Sequence, residues 1–287
     1  MANSLPNLLI EPDWLEAHIA DPSIRVFDTS VSLVPQPPGP SEYTSLYEEY
    51  LEMHIPGAGY LHMVEDLSDP SGLFPFALPP IELVWQRLSE QGVSNTDTIV
   101  LYGNEIHWAT HRCWWVLATA GADVRILNTN FSQWCAAGRA TESGARSFKT
   151  TRFKGHYNSD WISTKKDVVA SLQNDSTALI NSLSAEQFAG RGQPFGRAGR
   201  IPGSLSIPSA AFVDRQTGRF LSLEKLAQQF DQAGATSYDQ LISYCGGGIA
   251  ASTTFFALHM LGYKNISLYD GSLFEWSADA HSPLIAD

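Results

Sequence analysis

The sequence predicts an α/β protein built from two tandem copies of one domain, each a parallel sheet with helices on both faces. Three observations carry that prediction: a chain of 287 residues, short strings that recur in order in both halves, and apolar runs that alternate with helical spacing. The length fits about two domains at roughly 100–200 residues each. A composition of 44% hydrophobic and 17% charged residues belongs to a folded chain and excludes intrinsic disorder.

The repeat is read first, because a fixed period decides the architecture. Trp14-Leu15 is answered by Trp161-Ile162, and His54-Ile55-Pro56-Gly57-Ala58 by Arg200-Ile201-Pro202-Gly203-Ser204. The apolar run Ile99 to Tyr102 is answered by Leu241 to Tyr244, Gly121 by Gly262, Asn128 by Asp270, and Trp134 by Trp276. Across these six ordered matches the separation drifts only between 147 and 141 residues. The division that follows is a first domain over 1–140, a Gly-, Ser-, Thr- and Arg-rich linker over 141–158, and a second domain over 159–287.

Within the second copy, Ala178 to Ile180, Leu241 to Tyr244 and Ile266 to Tyr269 read as short strands. Leu223 to Gln232 and Ala250 to Leu261 show helical spacing and are closed by Gly234 and Gly262. Apolar strands alternating with helices imply a parallel sheet covered on both faces.

The net charge of -12 opposes binding to nucleic acid, which needs a basic excess. Residues 1–150 carry -11 of it and residues 151–287 only -1, so the second copy is the one suited to an anionic ligand. No apolar run approaches the roughly 18 residues that span a bilayer, and the start of the chain lacks a basic and then apolar leader. Three cysteines, Cys113, Cys135 and Cys245, fit neither a disulfide framework nor paired metal-binding units, so a reducing, cytoplasmic setting is expected.

One local pattern carries chemistry. The apolar strand Leu241 to Tyr244 runs into Cys245-Gly246-Gly247-Gly248-Ile249-Ala250 and then into an apolar helix. In an open parallel sheet, ligands bind beyond the carboxyl ends of the strands, where this cysteine falls. Glycines let backbone amides turn toward the sulfur, and the helix presents its positive end, so both favour the thiolate nucleophile. A buried filler cysteine would not call for three consecutive glycines, whereas Cys113 and Cys135 lie in aromatic-rich surroundings and read as packing residues. At the position matching Cys245 the first copy has Gly103, so only the second copy is expected to be active.

Rival chemistries fail on particular residues. A cysteine phosphatase loop needs an arginine six residues after the cysteine, where this chain has Ala251. A zinc hydrolase reading of Glu105, His107 and His111 needs glutamate at the position of Trp108, and dinucleotide and phosphate-loop fingerprints are absent.

Taken together, the two Ile-Pro-Gly strings, the cysteine loop and Tyr269-Asp270-Gly271-Ser272-Leu273-Phe274-Glu275-Trp276 resemble the tandem-domain sulfurtransferases of the rhodanese family over nearly the whole chain. The resemblance implies a six-residue active loop, Cys245 to Ala250, and an inactive amino-terminal copy. It further implies a persulfide on Cys245, formed from a small anionic donor such as thiosulfate or 3-mercaptopyruvate and passed to cyanide or a thiol, without metal or organic cofactor. Glu275 and Trp276 would close the site, with a buried structural role as the alternative for Trp276.

The chain departs from that family where donors are chosen. Thiosulfate-using relatives carry basic residues after the cysteine and mercaptopyruvate-using relatives a serine two positions on, but here Gly246 and Gly247 follow. An Asp-Ala-Arg strand end, whose arginine grips the donor, is replaced by Asn181-Ser182-Leu183. The glycine-rich loop Gly190 to Arg200 supplies Arg191, Arg197 and Arg200 as replacement anchors, or else is simply a solvated loop. His54 reads as a turn residue, and His62 as a candidate for the domain cleft. The neutral loop also leaves open a persulfide carrier or binding module with little turnover.

Overall fold

A computed structural model describes residues 8–34, 42–191, 195–214 and 216–287. Met1 to Asn7, and Gly192, Gln193 and Pro194 of the arginine loop, lie outside them. The first half carries β1 (Leu9–Ile10), α1 (Pro12–His18), β2 (Ile24–Asp28), β3 (Val31–Val34), β4 (Glu42–Ser45), α2 (Tyr47–Glu52), β5 (Gly59–Tyr60), α3 (Ile81–Glu90), β6 (Thr98–Tyr102), α4 (His107–Thr119), β7 (Asp123–Leu127) and α5 (Phe131–Ala136). The second half carries β8 (Ile162–Ser163), α6 (Lys165–Ser171), β9 (Thr177–Asn181), α7 (Ala185–Phe188), β10 (Leu205–Ser206), α8 (Leu223–Gln232), β11 (Gln240–Tyr244), α9 (Ile249–Met260), β12 (Ile266–Tyr269) and α10 (Ser272–Ala278).

Two parallel five-stranded sheets result, ordered β1-β7-β6-β2-β5 and β8-β12-β11-β9-β10. Position by position the orders coincide, so the repeat in the sequence is a repeat of topology. Asp28 lies opposite Tyr102 in the first sheet as Asn181 lies opposite Tyr244 in the second. The recurring strings meet in the same contact in both copies: Ile55 N–H donates to the Tyr102 hydroxyl at 3.2 Å, and Ile201 N–H to the Tyr244 hydroxyl at 3.1 Å. Each Pro-Gly turn needs a left-handed glycine, with φ 77 at Gly57 and 75 at Gly203.

Burial explains the strand compositions. All five residues of β9 are buried, which is why its centre, Ala178 to Ile180, is a short apolar run rather than an alternation. Helix α8 is amphipathic, with Leu226 and Phe230 one turn apart facing the core and the Ser222 hydroxyl capping its amino end. By contrast α4 and α9 are buried nearly all round because they pack on each other between the two sheets. There the Trp114 ring meets Phe256 edge-on at 4.7 Å. No described helix is long and apolar enough to cross a membrane.

The segment 141–158 forms no regular element but is strapped along the first copy. Glu142 pairs with His54, Thr151 N–H donates to Ser89 O at 2.9 Å, and Asn158 N–H donates to Thr119 O at 2.9 Å. Phe148 packs on Phe27 and Phe153 is buried, so apolar anchors hold a stretch whose composition alone reads as flexible.

Candidate active site

Cys245 follows the last residue of β11 and is 2% exposed, at the carboxyl edge of the second sheet. The chain turns through Gly246 to Gly248 into α9. Gly248 sits at φ 78, and a Cβ there would lie 2.9 Å from Arg112 Nη1, so both backbone and space require glycine.

Ser272, at the start of α10, holds this loop. Its Oγ accepts from Cys245 N–H at 3.1 Å and Gly248 N–H at 3.2 Å, and donates to Tyr269 O at 2.8 Å. The Leu273 and Phe274 amides donate to the carbonyls of Cys245 and Gly246 at 3.1 and 2.9 Å. Two of the loop amides expected to face sulfur are therefore committed to Ser272. Those of Gly246, Gly247, Ile249 and Ala250 meet no acceptor among the described residues, and they lie beside the positive end of α9.

The domains are clamped beneath the loop. Arg112 of α4, with no exposed surface, lies 2.7 Å from Asp270 Oδ1, donates to Phe76 O at 2.6 Å, and stacks its guanidinium over Trp115. The other oxygen of Asp270 accepts from Leu78 N–H at 2.7 Å. A buried charge so placed is tolerable because it is paired and hydrogen-bonded.

Cys245 opens into a cavity of about 630 Å³. Its floor is the cysteine loop, one side is Ser182 to Ala185, and the roof comes from Tyr43, Phe76 and Trp108 of the first copy together with Phe195 and Phe274 of the second. Trp108 Nε1–H donates to the Tyr43 hydroxyl at 3.1 Å, and burial raises that phenol above its ordinary value. No Lys, Arg, His, Asp or Glu lines the cavity among the described residues.

The arginines of the Gly190 to Arg200 loop are placed outside this lining. Arg197 directs its guanidinium away, donating to the carbonyls of Ser277 at 3.0 Å, Asp279 at 2.7 Å and Ser282 at 2.8 Å. Arg200 donates to Phe188 O at 3.1 Å and pairs with the Asp287 carboxylate at 2.8 Å, while Arg191 is exposed. These carbonyls and the Asp287 carboxylate attract the side chains more strongly than an apolar cavity can. Glu275 and Trp276 also lie outside the cavity. Glu275 folds over Gly271, and Trp276 is buried with its Nε1–H donating to Pro283 O at 2.9 Å. Their neighbour Phe274 is the α10 residue that walls the site.

His54 is buried with Nδ1 on Tyr50 O at 2.8 Å, and His62 is buried beside Asp66, away from the cavity. Cys113 is fully buried, which pushes its thiol up, and Cys135 is half-buried. At the matching end of β6, a Cβ on Gly103 would lie 2.4 Å from Thr110 Oγ1, so a side chain there would have to displace Thr110.

Sequence reasoning missed Ser272, Phe274, Phe195, Phe76 and Tyr43. Ser272 and Phe274 stand inside a string already singled out, and Phe195 within the arginine loop. Tyr43 and Phe76 reach the cavity only through packing of the first copy on the second, for which no local pattern exists.

The comparisons with known proteins agree with this geometry. The rhodanese-like domain matches twice, over residues 11–137 and 164–279. The chain is 31% identical over 277 residues to the 3-mercaptopyruvate sulfurtransferase of Escherichia coli K12, covering 95% of each chain. To the sulfur carrier protein TtuD of Thermus thermophilus it is 28% identical, covering 96% of this chain and 95% of that one. The crystal structure of SseA from Escherichia coli superposes with a TM-score of 0.82 at 28% identity, covering 93% of this chain and 98% of that one. Two matching sheets, one cysteine loop at a strand end and full-length similarity to such relatives place the chain in the rhodanese-like domain family, as a two-domain sulfurtransferase.

Proposed function

We propose that Cys245 is the sulfur-carrying nucleophile, and that it takes sulfur from a small anionic donor, thiosulfate or 3-mercaptopyruvate, for transfer to a thiol or cyanide. The observation that carries this reading is the position of Cys245: a strand end, a left-handed glycine cap and a long buried helix converge on one thiol at the floor of a cavity.

The Cys245 thiolate attacks the outer sulfur of the donor. With thiosulfate, the donor's S–S bond breaks and its electron pair leaves on sulfite. With 3-mercaptopyruvate, the C–S bond breaks, its electron pair stays on carbon as the pyruvate enolate, and the thiol proton ends on that carbon. Each route leaves Cys245 Sγ–S⁻. With no cation among the described residues of the cavity wall, the donor's anionic group is met by the unoccupied amides of Gly246, Gly247, Ile249 and Ala250 and by the α9 dipole.

Thiocyanate formation from cyanide, run separately with each donor, tests the reading with Cys245→Ser as control. Wild type is expected to exceed the variant with at least one donor, and intact mass after donor alone is expected to show one added sulfur on Cys245. Turnover surviving in Cys245→Ser removes the site assignment. A persulfide without turnover favours the carrier role, to which the similarity with a sulfur carrier protein also lends support.

A further inference from the structure

We propose that the cavity above Cys245 contains an acceptor subsite for an uncharged organic thiol with an aryl group, walled by Phe195, Phe274, Phe76 and Tyr43. The proposal rests on the sulfur-transfer reading of Cys245 and concerns the second half of the reaction, in which the persulfide is discharged.

The first argument is size. A cavity of about 630 Å³ is far larger than a donor of a few heavy atoms needs, and it falls in the range of roughly 300–1,000 Å³ that holds drug-sized molecules. The second is polarity. The described wall has no charged side chain, and all three arginines that could have reached it are exposed or engaged elsewhere. Away from the loop amides that face the donor's anionic group, a charged acceptor group would lose its hydration without a counter-charge to replace it.

The third argument is the rings themselves. Tyr43 meets Phe76 edge-on at 5.5 Å, Phe76 meets Phe274 at 6.4 Å, and Phe274 meets Phe195 edge-on at 5.3 Å. These four half-buried side chains form a continuous aromatic arc around the cysteine loop. They stand where loop side chains would project: a Cβ on Gly246 would lie 2.1 Å from the Phe195 ring, and a Cβ on Gly247 would lie 2.6 Å from Phe274 and 3.3 Å from Phe76. The bare glycines and the phenyl rings are thus one matched set.

The fourth is strain. Phe76 has φ 65, a conformation that a bulky residue adopts only when its surroundings hold it. Here Arg112 holds its carbonyl and Asp270 holds the amide of Leu78, two residues on. The inter-domain clamp therefore presents this ring to the cavity.

In the transfer step, the acceptor sulfur bonds to the outer sulfur of Cys245 Sγ–S⁻. The Sγ–S bond breaks, its electron pair remains on Sγ as thiolate, and the acceptor's proton moves to the departing persulfide. An aryl group beside the arc orients that sulfur over the loop.

The test is a single-turnover discharge of the full-length protein preloaded on Cys245, with the persulfide followed by intact mass. The probes are 2-phenylethanethiol, 2-mercaptoethanol, 3-mercaptopropionate and cysteamine, with rates referred to the thiolate present. A ring's worth of apolar burial predicts a second-order rate constant for 2-phenylethanethiol about 10- to 100-fold above 2-mercaptoethanol. Equal rates, or faster discharge by either charged thiol, overturn the proposal. Phe195→Ala and Phe274→Ala are each expected to narrow the ratio at least fivefold, and the ratio does not depend on the active fraction. In wild type, 2-phenylethanol, which has no thiol, should compete with 2-phenylethanethiol. Lack of competition, or an unchanged ratio in folded variants, counts against the arc. No added mass on Cys245 after donor treatment instead overturns the sulfur-transfer reading, and this proposal with it.

Discussion

Replacing Ser272 by alanine tests how the cysteine loop is held. The hydroxyl is fully buried and bonds two loop amides at 3.1 and 3.2 Å and the Tyr269 carbonyl at 2.8 Å. Alanine leaves the amides of Cys245 and Gly248 buried without an acceptor, at about 1–3 kcal/mol each, so the variant should lose about 2–6 kcal/mol. For a chain of this size that lowers the unfolding midpoint by roughly 3–10 °C. Freed from Ser272, the loop no longer keeps its amides and sulfur in register, and persulfide formation on Cys245 should slow by at least about 10-fold. Stopped-flow donor consumption and a thermal melt measure the two effects. Ser272→Gly separates causes, since Ser272 has φ 46 and glycine relieves that strain while removing the same hydroxyl. Slow transfer in both variants supports the hydrogen-bond argument, whereas a wild-type rate and midpoint in Ser272→Ala would refute it.

Three other outcomes follow from the same geometry. Gly246→Ala drives a Cβ to 2.1 Å from the Phe195 ring and should cut transfer at least about 10-fold, with Phe195→Ala in the same chain recovering at least about 1 kcal/mol of stability by double-mutant cycle. Arg197→Ala should leave the donor KM unchanged while lowering stability by about 2–4 kcal/mol in urea, because its bonds go to three carbonyls near the carboxyl terminus; a raised KM would return it to the donor site. His111 is pushed down to about 3 by complete burial, its ordinary value being 6.5. The unfolded chain therefore binds the extra proton, and stability falls as pH drops below about 6.5, by about 1.4 kcal/mol per unit until about 3. Urea unfolding at pH 7 and pH 5 should show a shallower loss in His111→Phe, and identical slopes would reject the assignment.

The duplication, the sheet class and the cysteine loop were legible because each is written in local chemistry. Apolar runs of the right length become buried strands wherever they occur, and Ile-Pro-Gly strings recur because each makes the same turn against a strand tyrosine, Tyr102 or Tyr244. The cysteine loop could be read because only glycines permit its turn. The donor anchors could not, since an arginine count does not say which carbonyls a guanidinium will find. Arg197 and Arg200 were drawn to the carboxyl-terminal segment, 80 or more residues away in sequence. The strap over 141–158 was likewise hidden, because Phe148 and Phe153 bind it to surfaces formed by distant residues.

By itself, then, the sequence determined two copies of one fold and a single cysteine loop at a strand end, because periodicity, turn chemistry and the presence or absence of a sulfur atom are properties of short segments. Tertiary structure alone decided what surrounds that thiol. Phe76 and Tyr43 reach Cys245 only because α4 and α9 pack together and Arg112 pairs with Asp270 across the domains. Contacts between segments so far apart depend on how two whole surfaces fit, and that fit is the sum of many small packing terms.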